Sequence, residues 1–146
     1  MKTRRFQGFS VRVDRPKGFV QRGKDASGRP WERTYKLDYG YLPRTDGGDG
    51  EGLDVFLGPD ESAEDAYWVT QHKDGGRFDE WKVMLGFPGL AAALAAYDAH
   101  IPRKYRGRVV RVPVAMMQSL LGIQPDVKVA MLGSFFDELT RILGVV

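Results

Sequence analysis

Glycine and proline cut residues 1–87 into short runs, and inside those runs the apolar side chains alternate with polar ones. Alternation with a period of two is the mark of a half-buried strand. Phe9, Val11 and Val13 make residues 9–13 a strand, and Leu53-Asp54-Val55-Phe56-Leu57 makes another, ended by Gly58-Pro59. The pleat puts Leu53, Val55 and Leu57 on one face and Asp54 on the other. Residues 66–71 read as a third strand. Asp74-Gly75-Gly76 is a hairpin-type turn, after which the chain returns through Trp81 to Phe87. Residues 14–34, rich in Gly, Pro and charge, are a loop or a hairpin.

Helical spacing comes later. Leu90, Leu94, Tyr97 and Ile101 share one face of a helix over 88–100, with Pro88 suited to its first turn. Residues 108–112 read as a strand, and Pro113 to Leu121 as a short helix ended by Gly122. A strand over 127–131 and a last helix capped by Ser134, with Asp137 three residues on, complete the chain. That helix carries Phe135, Phe136, Leu139, Ile142 and Leu143, so it must pack on the body or on a partner. Strands first and helices late predict an α+β fold, a small barrel-like sheet with helices on it. The 146 residues fit one domain, which we place at 1–123, with an extension over 124–146.

The net charge of +3 hides a segregated pattern. Residues 1–45 carry 12 Lys/Arg against 4 Asp/Glu, residues 46–80 carry 2 against 11, and residues 81–146 carry 8 against 4. An acidic block between two basic ones suits cations held in the middle and an anion held by the flanks. It argues against nucleic acid as a partner, which a uniformly basic chain would suggest. No apolar run is long enough to span a membrane, and no secretory signal follows the basic N-terminus. The absence of cysteine excludes thiolate chemistry and accords with a reducing, cytoplasmic setting.

Several motifs fail on inspection. Gly18 to Lys24 matches most of a P-loop, but Asp25 stands where a magnesium-binding hydroxyl is needed. Asp46-Gly47-Gly48-Asp49-Gly50 occurs once, whereas calcium-binding nonapeptides work as stacks. An EF-hand would need alternating acids and a closing Glu. His72 and His100 have no metal-ligand spacing.

The stretch that carries chemistry is Tyr35-Lys36-Leu37-Asp38-Tyr39-Gly40-Tyr41, followed by Asp49-Gly50-Glu51-Gly52-Leu53-Asp54. Three carboxylates within six residues raise one another's pKa unless a cation neutralises them. Oxygen ligands without His or Cys favour a hard ion, Mg²⁺ or Mn²⁺. A second acidic turn holds Asp74 and Asp79-Glu80, with Lys82 beyond. If both turns face one pocket, the result is a cup of carboxylates.

These residues resemble the magnesium-dependent soluble inorganic pyrophosphatases of family I. Their Asp-Gly-Asp-Pro-Val-Asp signature is matched by Asp49 to Asp54, and the Asn-Tyr-Gly-Tyr element before it by Asp38-Tyr39-Gly40-Tyr41. Asp74, Asp79 and Lys82 echo the family's later acidic group, and Lys104-Tyr105 a terminal Tyr-Lys pair in reversed order. With Gly28-Arg29-Pro30-Trp31-Glu32-Arg33, the pattern also looks like short pyrophosphatase-like domains of phages and prophages.

The resemblance implies a five-stranded barrel of oligonucleotide-binding type with two or three helices outside. It implies Mg²⁺-dependent hydrolysis of pyrophosphate, with Asp49, Asp54, Asp74 and Asp79 as metal ligands and Glu51 as general base. Arg33, Tyr35, Tyr39, Lys82 and Lys104 would contact phosphate oxygens, joined by Arg22 or Lys24 from the N-terminal loop. Three departures stand out: Glu51 for an Asp, Gly52 for a Pro, and no counterpart of an N-terminal Lys-x-Glu pair. The gap from Asp79 to Lys82 is one residue longer than the family's, which leaves Glu80 as the alternative ligand. A second reading is a pyrophosphatase-like phage module with a binding or assembly role, oligomerising through the C-terminal helix.

Overall fold

The computed structural model describes residues 1–123. The strand and helix expected within 124–146 lie outside the described residues. In chain order the strands are β1 (Lys2–Phe6), β2 (Phe9–Arg15), β3 (Val20–Lys24), β4 (Pro30–Thr34), β5 (Asp38–Leu42), β6 (Leu53–Leu57), β7 (Asp65–His72), β8 (Phe78–Leu85) and β9 (Arg106–Pro113). The helices are α1 (Leu90–Asp98) and α2 (Val114–Ile123), with a 3-10 turn at Arg103–Tyr105. Among the described residues no helix is long and apolar enough to cross a membrane.

Seven strands pair in the order β1-β2-β5-β6-β8-β7-β9, while β3 and β4 form a hairpin of their own. Residues 14–34, open between loop and hairpin from sequence, thus contain a hairpin. Every junction in the large sheet is antiparallel except β6–β8. The β7–β8 hairpin folds back so that β8, not β7, lies beside β6. The α+β class holds, but the five-stranded barrel does not. Seven strands share one sheet, and its end strands β1 and β9 are not joined to each other. The two strands of this sheet that the sequence pattern did not give are β1, which pairs with β2 through a tight turn at Gln7-Gly8, and β5, which pairs with β2 and β6. Both turn residues have positive φ, 49° and 83°, as a two-residue hairpin turn demands.

The sheet separates two cores. On one face Leu53, Val55, Leu57, Val83 and Leu85 pack with Trp68, Val112 and Met117 of α2. On the other, Phe56, Val69, Met84 and Tyr39 pack under Tyr97 and Ala93 of α1. Fully burying one such side chain is worth about 1.5–3 kcal/mol. The helix expected over 88–100 forms from Leu90, with Gly89 as its cap, so Pro88 precedes the first turn rather than occupying it.

Two irregularities re-aim side chains. Val13 pairs with Gly40 but Arg15 with Tyr39, which leaves Asp14 as an extra residue on β2. Gln71 pairs with Glu80 but His72 with Phe78, which leaves Asp79 extra on β8. Bulges of this kind turn a side chain out of the regular alternation. At the first, a side chain on Gly40 would place its Cβ 2.0 Å from the Arg12 carbonyl oxygen, so the close approach of β2 and β5 requires glycine.

Candidate active site

A cleft of about 1230 Å³ opens over the α1 side of the sheet. Its floor is set by strand register. Asp54 of β6 lies beside Lys82 of β8 across the parallel junction, and Glu80 stands two residues before Lys82 on the same face. Lys82 is 5% exposed. Its ammonium donates to Asp54 Oδ2 at 3.1 Å, to the Tyr39 hydroxyl at 2.6 Å and to Glu80 Oε1. The Tyr39 hydroxyl in turn donates to Asp54 Oδ2. Burial works against the Lys82 charge, but Asp54 and Glu80 outweigh it and hold the amine above its ordinary value. Burial, reinforced by the Asp54 charge, pushes the Tyr39 phenol well up, so it stays protonated and remains a donor.

The loop between β5 and β6 brings the other acids. Trp81 N–H donates to the Gly47 carbonyl at 2.8 Å, which ties the loop to the start of β8. Gly48 has φ +95° and lies under Phe78 and Trp81, where a Cβ would sit 2.7 Å from the Phe78 ring. Asp46 Oδ1 accepts from the backbone N–H of Gly48 and Gly50 at 2.8 and 3.0 Å, closing the turn. Asp49 is thereby delivered to Glu80. Burial raises the Glu80 carboxyl to about 8, Lys82 opposes this, and a hydrogen bond with Asp49 adds to it. Asp49 also feels burial, yet the Glu80 bond and the Glu51 N–H hold it below the usual carboxylate range. Burial and Asp49 thus favour the protonated form of Glu80, while Lys82 favours the ionised one.

The remaining expected residues divide. Glu51, Asp74, Asp79, Arg33 and Lys104 all line the cleft. Asp79 accepts from Gln71 Nε2 at 3.0 Å, and Gln71 accepts from the Tyr97 hydroxyl at 2.6 Å. Asp74 stands at the rim, 82% exposed, 3.5 Å from Lys104 Nζ and 3.1 Å from the Tyr105 hydroxyl. Tyr35 is buried below the cleft, where its hydroxyl meets Arg15 at 2.7 Å and Gln21 at 2.9 Å. Lys24 and Arg22 lie exposed on β3 and do not line the cleft; Arg22 pairs with Glu32 at 2.9 Å.

Asp14 and Arg15 also line the cleft and were not singled out from sequence. Removal from water raises the Asp14 carboxyl, Arg15 works against that, and Asp54 adds to it. Arg15 lies over the rings of Tyr35 and Tyr39, at 5.6 and 5.5 Å. The bulge that exposes Asp14 depends on pairing with β5, so no local pattern announces it. Glu80, by contrast, stood as the alternative to Asp79 from its spacing to Lys82.

The sequence profile described as Inorganic Pyrophosphatase matches residues 1–122. The chain belongs to the inorganic pyrophosphatase family. It is thus a pyrophosphatase-type hydrolase. No curated protein matches it. Among solved structures it is similar to one described as an inorganic phosphatase from Anaplasma phagocytophilum, at 18% identity over 90% of this chain and 75% of that one. The TM-score is 0.29, too low to bear on the fold.

The family implies a metal. Among the described residues no three acidic or imidazole groups are gathered so as to hold an ion as they stand. The donor set nonetheless fits a hard cation. Asp49 is hydrogen-bonded to Glu80, and Asp54 and Glu80 share the Lys82 ammonium. These are all-oxygen side chains whose mutual repulsion a divalent ion would relieve.

Proposed function

We propose that this protein hydrolyses inorganic pyrophosphate to two phosphates with Mg²⁺, for which Mn²⁺ can substitute. The observation that carries the reading is that acids from two separated stretches, Asp54 and Glu80, share the buried Lys82, with Asp49 hydrogen-bonded to Glu80. These three acids would hold the metal, with Asp74 and Asp79 serving as ligands at the second acidic turn. Glu80 thus joins the set expected from sequence. A bound divalent ion supplies positive charge against phosphate oxygens and acidifies water.

The chain supplies the rest. Glu51 accepts a proton from the attacking water, whose oxygen bonds to one phosphorus as the bridging P–O bond breaks. Lys82, Arg33 and Lys104 bind the non-bridging oxygens and the departing phosphate, the positioning and charge stabilisation that phosphoryl transfer mainly requires. Tyr39 holds Asp54 in place, and Arg15 and Tyr35 brace Tyr39 from below. Phosphate release measured colorimetrically with Mg²⁺ tests the reading. Turnover in the native protein and its loss in Asp54→Asn support it; no turnover in the native protein contradicts it.

A further inference from the structure

The cleft is larger than pyrophosphate needs. Its volume exceeds the roughly 300–1,000 Å³ typical of pockets for much bigger ligands. The surplus lies in part under the β3–β4 hairpin, which contributes Trp31, Glu32, Arg33 and Thr34 to the lining. Trp31 is one of few large apolar side chains left in the open, 37% exposed. Its placement is fixed from below. Trp31 pairs across the hairpin with Gly23, and a Cβ on Gly23 would come within 2.4 Å of the indole. Only glycine lets the ring lie flat there.

Arg33 completes the arrangement. Two residues on from Trp31, it sits on the same face, with its guanidinium 5.5 Å from the indole centroid. It makes no ion pair among the described residues, so its donors are available to an anion. Two residues further, the strand leads to Tyr35, whose ring lies 5.2 Å from that of Tyr39, the partner of Asp54 and Lys82. An exposed aromatic ring, a guanidinium without an ion pair among the described residues and the Lys82 ammonium thus line one cleft, in that order from Trp31 through Arg33 and Tyr35 to the Tyr39–Lys82 pair. A base attached to a diphosphate through a sugar presents groups in the same order.

We infer that Trp31 is a stacking subsite for the base of a nucleoside diphosphate, with Arg33 and Lys82 on its phosphates. This rests on the proposed diphosphate-binding role of the cleft. It extends the ligand class beyond free pyrophosphate. Stacking of a base on an aromatic side chain is sequence-tolerant, because every base has a π-face, so no single base is singled out.

The test is calorimetric titration of the full chain with ADP and, separately, with pyrophosphate, each as its methylene-bridged analogue whose P–C–P link is not hydrolysed, both with Mg²⁺. Native protein is compared with Trp31→Ala and Trp31→Phe. The expected result is a loss of about tenfold in ADP affinity for Trp31→Ala, with Trp31→Phe within about threefold of native. Pyrophosphate affinity stays within about twofold in both variants. Equal losses for both ligands would show Trp31 to be structural and overturn the inference. Native binding of pyrophosphate without ADP would overturn it while leaving the proposed function in place. Binding of neither would remove both.

Discussion

The Lys82 ammonium stands 3.1 Å from Asp54 because the two residues are in register across the parallel β6–β8 junction. Backbone pairing, rather than long-side-chain reach, sets this contact. Lys82 also meets Glu80 and Tyr39, so it is the centre on which the acidic loop, two central strands and the aromatic layer converge.

Replacing Asp54 by Asn keeps the size of the side chain and removes its charge. Lys82 retains Glu80 as a partner, so the fold is expected to survive with a loss of about 1–2 kcal/mol. Hydrolysis is expected to fall by at least about 10²-fold, since both charge placement and metal holding are affected. Denaturant unfolding and phosphate release on the same preparation separate the two effects.

Glu80 holds its proton up to about 8, chiefly through burial. Its unfolded counterpart ionises near 4.5, so between these values the unfolded state binds fewer protons. Metal-free protein should lose stability from this group as pH rises from about 4.5 to about 8, with no further change above. Mg²⁺ bound at pH 7 should expel that proton, and affinity should climb with pH up to about 8. Titrations in buffers of differing ionisation enthalpy count the proton, and Glu80→Gln is expected to abolish its release.

His100 is the opposite case. Burial lowers its pKa, and the ring is used as a neutral imidazole: Nδ1–H donates to the Ala96 carbonyl at 2.6 Å, and Nε2 accepts the Lys36 N–H at 2.9 Å. Protonation destroys the second bond, which joins the end of α1 to the segment leading into β5. Stability from this group is present above about 6.5 and is lost as pH falls through the depressed folded value. Thermal unfolding between pH 7.5 and 5 should show a steeper acid loss in the native protein than in His100→Gln.

Glu51 lies exposed in the acidic loop, one methylene longer than the Asp at the family's matching position. A base misplaced by about 1 Å can cost about 10²-fold in rate. Glu51→Asp is therefore expected to raise kcat several-fold or more, and Glu51→Ala to lower it by about 10²-fold. Steady-state kinetics with KM reported separately checks both, because a positioning base acts on kcat.

Elements whose identity rests on their own pattern were readable in advance. β6 has the bounds its alternation and Gly58-Pro59 give, and Asp54 faces away from Leu53, Val55 and Leu57 as the pleat requires. The β7–β8 hairpin and α1 were readable for the same reason. β1 was not, because Lys2-Thr3-Arg4-Arg5-Phe6 holds one apolar core residue and becomes a strand only by pairing with β2. The closed barrel failed with it, since strand count depends on such edge pairings. In the site, motif spacing pointed to Asp49, Asp54 and Lys82. Asp14 and Arg15 were hidden because a bulge, a product of tertiary pairing, presents the acid. Tyr35 looked like a phosphate ligand by position, but its hydroxyl is taken up by Arg15 and Gln21.

The convergence of acids on a divalent ion can be seen directly. Crystals soaked with Mn²⁺ and measured at its absorption edge should show anomalous density bounded by Asp49, Asp54 and Glu80, with Lys82 drawn away from at least one of them. Density elsewhere on the surface, or none in the cleft at millimolar Mn²⁺, would contradict the account.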